Sequence, residues 1–384
     1  MSEWKEYKLG EVASFVKEKV AVQSIATDDY VSTENMLPNK GGITLASGKP
    51  EEGTITKYYP NTILVSNIRP YFKKIWYADK AGGCSNDVLC FEAKESIVDS
   101  KYLFFLLSQD MFFDYVMLGS KGCKMPRGDK AHIMNWDISL PSLDEQRRIA
   151  SILTSLDDKI DLLRRENATL EAMAETLFRQ WFVEEAKEEW NEGKLGDYVD
   201  VVDNRGKTPP YIETVTEYPI IEVNALTGCE RHVNYDAVRK YVTKEVKDTW
   251  FRGYIHKNDI LVSTVGSIGE LAMCIEEKGV IAQNVIALHA SKISPFYLYQ
   301  YLLLNKDDLK GLDIGSVQPS IKVPHLLKMP ILLPPIELMN KFDSVLKEII
   351  DKEINNYKEI QTLIQTRDGL LPRLMGGEID YFYE

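Results

Sequence analysis

Lys121, Lys124, Arg127 and Lys130 place four cations in ten residues, against one acid, Asp129. Gly119, Gly122, Pro126 and Gly128 make the stretch a loop. Cations on a reachable loop are what a phosphate backbone binds, and the bland alternative is a solvated turn. Arg69, Lys73 and Lys74, interleaved with Tyr71 and Phe72, form a second cluster, whose alternative is a strand edge with snorkelling lysines. Farther along, Arg205 and Lys207 flank Gly206, and Gln318, Ser320 and Lys322 follow Gly315. Arg231-His232 and Arg239-Lys240 are further basic pairs. Base readout is open to the same set, since Arg forks onto guanine and Gln pairs adenine.

Catalytic constellations are scarce. Thr208-Pro209-Pro210-Tyr211 has the outline of the D/N-P-P-Y signature of amino-methyltransferases. Threonine, however, lacks the carboxamide or carboxylate that holds the target amine, and no F-x-G-x-G loop precedes it. Gly266-Ser267-Ile268-Gly269 follows a strand but lacks the third glycine and the lysine of a phosphate cradle. Glu276-Glu277-Lys278 is either the tail of a nuclease E-x-K or a charged turn. His132, His232, His256, His289 and His325 show no metal spacing, and no G-x-S-x-G occurs. The expectation is a non-enzyme without a metal site and without a cofactor of its own.

The 384 residues suffice for two or three domains, and 44% hydrophobic with 27% charged residues is an ordinary globular composition. No uninterrupted apolar run spans a membrane, and Glu3, Glu6 and Glu11 break any signal-peptide pattern. Cys84, Cys90, Cys123, Cys229 and Cys274 are scattered, with no zinc or disulfide spacing, which points to a reducing cytoplasm. The net charge of −12 argues on its face against nucleic acid. Most of the acid excess, however, falls in residues 142–193 and 335–384, leaving two near-neutral blocks.

Those blocks are a diverged repeat. Leu9-Gly10-Glu11-Val12 returns as Leu195-Gly196-Asp197-Tyr198-Val199. Asn61-Thr62-Ile63-Leu64-Val65-Ser66 returns as Asn258-Asp259-Ile260-Leu261-Val262-Ser263, and Ile138-Ser139-Leu140-Pro141 as Ile331-Leu332-Leu333-Pro334. Residues 62–66, 260–264 and 281–289 read as strands, and 100–108 and 295–304 as helices. Gly41-Gly42, Gly82-Gly83, 119–128 and 203–210 read as loops.

The acidic segments read as long helices. Ser142 and Glu145 form a capping box. Beyond it Ile149, Leu153, Leu156, Ile160, Leu163, Asn167, Leu170, Ala174 and Leu177 step in the 4-3 rhythm of a coiled-coil seam. Asn167, the one polar member, is of the kind that fixes register. Leu346, Ile350, Glu353, Tyr357, Ile360, Ile364, Arg367 and Leu371 keep the rhythm less cleanly, and Ile349, Ile354 and Leu363 suggest a second buried side. A helix over 145–184 would run ~60 Å at ~1.5 Å per residue. Pairing within one chain would make the helices antiparallel and give the repeats approximate two-fold symmetry. That symmetry suits two duplex half-sites, and dissimilar blocks would read dissimilar half-sites across an unread spacer. The fold class expected is α+β: two mixed α/β blocks, residues 1–141 and 194–334, separated by long helices within 142–193 and 335–384.

Over essentially its whole length the chain resembles the specificity subunit of type I restriction-modification systems. The layout carries the resemblance together with ordered motifs. These are Lys124-Met125-Pro126-Arg127-Gly128-Asp129-Lys130, then Ile138-Ser139-Leu140-Pro141-Ser142-Leu143-Asp144-Glu145-Gln146, and Thr176-Leu177-Phe178-Arg179-Gln180-Trp181-Phe182. Asp203-Asn204-Arg205-Gly206-Lys207-Thr208-Pro209-Pro210 and Leu370-Leu371-Pro372-Arg373-Leu374-Met375-Gly376-Gly377-Glu378-Ile379 complete the set. The resemblance implies that the blocks are target recognition domains for double-stranded DNA. It implies helices that dock two copies of a methyltransferase subunit, joined by a restriction (motor-nuclease) subunit. S-adenosylmethionine, ATP and Mg would sit on those partners. Phe178, Trp181 and Phe182, with Leu370, Leu371, Leu374 and Met375, are the docking candidates; alternatively they close the helices against the adjacent block. The rival functions are a DNA-independent coiled-coil scaffold and a DNA methyltransferase.

Overall fold

The computed structural model describes residues 4–122, 124–228, 231–315 and 317–377. Cys123, Cys229 and the closing Glu378-Ile379 lie outside the described residues. The chain divides into two units, residues 1–160 with 361–384, and residues 161–360.

In the first unit, an antiparallel sheet runs Ala13–Phe15, Val88–Ala93, Ile63–Ser66, Ile75–Tyr77. The run Ile63-Leu64-Val65 is buried on both faces, as its unbroken apolar character requires. A second sheet runs Lys19–Ala21, Thr54–Tyr58, Gly82–Cys84, Tyr30–Val31. Gly82-Gly83, expected in a loop, is therefore strand. A Cβ on Gly82 would lie 2.2 Å from the Asp29 carbonyl oxygen, so the glycine marks a close backbone approach and not a turn. Helices Ser100–Leu107 and Asp110–Leu118 cover the first sheet. Lys5–Lys8 pairs antiparallel with Asp137–Leu140 and ties the start of the block to its end.

The second unit repeats this plan. Its sheet runs Val199–Val202, Val285–Ala290, Ile260–Ser263, Leu271–Met273, with Ile260 opposite Leu288 as Ile63 is opposite Phe91. Asn191–Lys194 pairs with Pro330–Leu333. The run 281–289, expected as one strand, is interrupted: Val280–Ile281 and Val285–Ala290 are separate, with Gln283 in the left-handed region at φ 57°.

The repeated motifs recur because the backbone demands them. Leu9 N–H donates to the Trp136 carbonyl and Leu195 N–H to that of Met329, both at 2.9 Å, with both leucines fully buried. Gly10 and Gly196 then come so close to Met134 and Leu327 that a Cβ would lie 3.3 and 3.0 Å from their Cβ atoms. Asn61 and Asn258 adopt φ of 71° and 70°, a conformation asparagine tolerates better than most residues.

The first long helix is Leu143–Arg179, followed by a π-helical turn Gln180–Glu184; the second is Ile336–Met375. Ser142 Oγ accepts the Glu145 N–H at 3.4 Å, the capping contact expected. In the first unit Ile149 and Leu153 share a core with Leu371, Leu374 and Met375, and Arg367 donates to Asp157 at 2.8 Å. In the second unit Ala174, Phe178 and Phe182 share a core with Phe342, Leu346 and Ile350. There Asn356 Nδ2 donates to Asn167 Oδ1 and to Glu166, both at 2.9 Å. Within each unit, numbers rise along one helix as they fall along the other, so the helices pair antiparallel. Ile149, Leu153, Ile160, Leu163, Leu346, Ile350 and Ile360 are buried; Leu156, Asn167, Leu170, Leu177, Tyr357 and Ile364 are half-buried. None of the described helices is long and apolar enough to cross a membrane.

Glu353 breaks the apolar seam for a reason outside the helix pair. Its carboxylate takes Arg231 Nε at 2.8 Å, with side chains only 1% and 2% exposed. Arg231 and His232, read above as basic surface, are thus interior. Burial, and then Arg231, push His232 down to about 4, so it is neutral at pH 7. Removing one partner of such a pair strands the other charge, at ~3–5 kcal/mol. Glu353→Ala should therefore lower the thermal midpoint by several degrees, and Arg231→Met with Glu353→Leu should recover most of the loss. Calorimetry of both variants checks this; an unchanged midpoint in Glu353→Ala would show that the pair does not hold the unit.

Candidate nucleic-acid interface

The two basic clusters of the first block, some fifty positions apart in the sequence, meet in the structure. The strand Ile63–Ser66 runs into a turn whose Arg69 and Lys73 both have positive φ, 51° and 52°, around the short 3-10 turn Pro70–Phe72. Arg69 N–H donates to the Pro126 carbonyl at 2.8 Å, and Gly128 N–H to that of Asn67 at 3.2 Å. Lys121 and Arg127 exchange both backbone bonds at 3.0 Å, and Ile68 bridges Arg127. Residues 67–74 and the described residues of 119–130 are thereby laced into one surface.

The side chains on it differ in fate. Lys121 pairs with Asp129 at 2.8 Å and Lys73 with Asp110 at 2.9 Å. Lys121, with the His132 and Ala131 amides, holds the Asp129 carboxyl down to about 2, and Asp129 caps the helix Lys130–Met134. Arg127 pairs through Nη2 with Asp87, while its side chain stays 55% exposed. Lys124 is exposed, and Lys130, also exposed, lies 5.7 Å over the Phe15 ring. Lys74 turns inward: Nζ donates to the Thr33 carbonyl at 2.6 Å, and burial lowers its pKa. That geometry takes Lys74 off the phosphate-contact surface predicted for it, because leaving the carbonyl would strand a half-buried acceptor.

The second block builds the same frame. Gly266 N–H donates to the Pro319 carbonyl at 3.0 Å, Ile321 N–H to that of Thr264 at 2.8 Å, and Val265 bridges Ser320. By these bonds Gly266 stands where Arg69 does, Ser320 where Arg127 does, and Gln318 where Met125 does. Lys322 occupies the capping place of Asp129, one position before Lys130. Asp313 Oδ1 accepts the Gly315 and Ser320 amides at 2.8 Å, holding that loop closed and its own carboxyl below the usual range. Arg205 is brought to the same place: it pairs with Asp203 at 2.7 Å and reaches Thr264 Oγ1 at 3.3 Å. Gln318 and Lys207 are exposed. The Gly266 and Gly269 amides bond to Pro319 and Ser263 carbonyls, which leaves neither for a phosphate.

The docking candidates fare differently. Phe178, Phe182, Leu371, Leu374 and Met375 are buried in the cores of their own units. They close the helices against the blocks, and side chains so enclosed offer a partner no surface. Leu370 is half-buried. Trp181, half-buried in the π-helical turn, lies 5.9 Å from Phe342 with Lys341 Nζ 5.2 Å over its ring.

Sequence reasoning missed two buried anchors. Gln146, 1% exposed, accepts the Asp99 amide at 2.9 Å and donates to the Pro141 carbonyl at 2.9 Å, fastening the first helix to its block. Its polar type gave no sign of burial. Arg231 was visible only as a charge, although Glu353 in an apolar seam pointed to a buried partner. Among the described residues no group of three His, Cys, Asp or Glu side chains is placed to hold a metal.

Comparison with known proteins agrees with this doubled frame. The chain is 27% identical to the MjaIX type I restriction enzyme specificity subunit of Methanocaldococcus jannaschii, over 74% of this chain and 70% of that one. It is 23% identical to the HindI specificity subunit of Haemophilus influenzae, over 99% and 100%. The crystal structure of a type I restriction-modification S subunit from M. genitalium shares the fold, with a TM-score of 0.60 at 16% identity over 97% and 96% of the chains. Residues 1–172 and 187–365 both match the type I restriction modification DNA specificity domain, and the chain belongs to that family.

Proposed function

We propose that this chain is the non-catalytic reader of a bipartite, asymmetric duplex target, each block taking one half-site. One observation carries the reading: a single backbone frame is built twice and furnished differently. Lys121, Lys124, Met125 and Arg127 in the first block correspond to Ile314, Val317, Gln318 and Ser320 in the second. A frame held constant while its exposed side chains diverge suits two readers of unlike sequence better than a scaffold, which has no need of either. Arg69, Lys73, Lys121, Lys124 and Lys130 would position the first block on phosphates; Arg205, Lys207, Ser320 and Lys322 would do so for the second, with Gln318 at a base edge. The reading places methylation and cleavage on partners: two copies of a methyltransferase subunit and a restriction subunit, which would carry S-adenosylmethionine, ATP and Mg. Of the docking candidates, Trp181 and Leu370 keep surface to offer.

Exchanging residues 1–141 for the corresponding block of a relative should change one half of the recognised sequence and leave the other intact. Mapping methylated bases in cells that carry the hybrid with its partner genes reads this directly; a change in both halves, or in neither, would overturn the assignment. Lys124→Ala should weaken binding to every duplex alike and reduce the slope of log affinity against log salt by ~0.9, as loss of one phosphate contact does. Trp181→Ala should instead reduce co-purification of the methyltransferase without altering that slope. Affinity indifferent to salt in the wild type would favour a DNA-independent scaffold.

A further inference from the structure

We infer that Arg127, aimed by Asp87, reads a guanine in the half-site of the first block, and that the second block has no counterpart to this contact. The inference rests on the reading that residues 67–74 and 119–130 face DNA.

The backbone of Arg127 is fixed on that surface. Its N–H and C=O both bond to Lys121 at 3.0 Å, and Ile68 bridges it from the neighbouring loop. Asp87 belongs to the same frame, since its carbonyl accepts the Asn67 N–H at 2.8 Å just before the turn bearing Arg69. The Asp87 carboxylate engages one terminal nitrogen of the guanidinium. A guanidinium has five N–H donors, so others stay open on a side chain that is half exposed. A fork with its base, root and one prong fixed loses little freedom on meeting guanine O6 and N7. A phosphate contact requires no such aim. The same carboxylate suits a G·C pair, whose cytosine amino group an aspartate accepts.

The second block shows that the pair is not a brace. Asn284 stands in the place of Asp87, its carbonyl accepting the Thr264 N–H at 2.7 Å, and Ser320 stands in the place of Arg127. Both charged members are absent together, yet the sheet order, the register and the lacing of the two loops are the same. The frame forms without the ion pair, and an exposed ion pair contributes little to stability in any case. What the pair does is hold a donor fork in one orientation.

The test is selection of bound duplexes from a randomised library by the full chain with the subunits that co-purify with it, followed by titration of single duplexes. Wild type should require G at one position of one half-site. Arg127→Ala should flatten the preference there alone, losing about 5- to 150-fold on the cognate duplex, the ~1–3 kcal/mol of a bidentate contact. Duplexes already altered at that position should bind variant and wild type equally. Arg127→Lys, which keeps the charge without the fork, should flatten the same position and leave the salt slope unchanged. Asp87→Asn should weaken that one preference by a smaller factor, again at constant slope, as a positioning residue does. If Arg127→Ala lowers affinity for all duplexes alike, with a slope smaller by ~0.9, Arg127 is a phosphate contact and the inference is wrong while the interface stands. If Lys124→Ala weakens binding and Arg127→Ala does nothing, the inference fails in the same way. If neither variant alters DNA binding, the interface itself is misassigned.

Discussion

A polar side chain enclosed between helices must find its partner, and that requirement organises the second unit. Asn356 is buried, and its amide hydrogens go to Asn167 Oδ1 and Glu166 on the facing helix. Slipping one helix by a turn would leave the amide unpaired in an apolar seam, at ~1–3 kcal/mol, whereas an all-leucine seam would tolerate several offsets. One turn before Asn356, Glu353 reaches out of the helix pair to Arg231, and Arg231 N–H in turn donates to Glu171 of the first helix at 2.8 Å. A loop of the block is thereby fixed to both helices through charge-assisted bonds. The first unit uses gentler means: Arg367 meets Asp157 with both side chains partly exposed, and Gln146 fastens the block through neutral bonds.

Much of this architecture is legible in the chain because its signals are periodic or repeated. The seam shows in leucine and isoleucine spacing, and Asn167 stands out as the one polar member. The repeat shows where the backbone leaves few choices, at Leu9-Gly10 and Asn61 and their counterparts. What escapes is partnership between distant residues. Nothing local distinguishes Lys74, bonded to a carbonyl forty-one positions away, from Lys73, which stays at the surface with Asp110. Phe178 and Leu374 look like docking surface in a sequence because an apolar helix end is the same whether covered by its own block or by another chain. Gly82 reads as a turn residue because glycine marks close approach and sharp bends alike.

The two blocks separate what holds the loop proposed to read DNA from what it displays. Backbone bonds do the holding: Arg69 to Pro126 in one block and Gly266 to Pro319 in the other. Side chains at those junctions are then open to change at little structural cost. Substituting Gly266 for Arg69 at a positive φ removes a cation and relieves strain together, and Ser320 in the place of Arg127 goes with Asn284 in the place of Asp87. Divergence of this kind leaves the strand register intact.

On the proposed reading, the near-neutral charge of the blocks fits the same logic. Non-specific affinity for duplex grows with each phosphate neutralised, and a reader drenched in cations would be held anywhere on a genome. On the first block Lys73, Lys121 and Arg127 each carry a carboxylate, from Asp110, Asp129 and Asp87. Such a surface attracts phosphate weakly, while its carboxylates keep the donors in place. If this surface faces DNA as proposed, binding would draw a larger share of its free energy from contacts that only the right bases complete. Most of the net charge of −12 lies in the long-helix segments, so what bears on this reading is the near-neutral charge of the blocks and not the acidity of the whole chain.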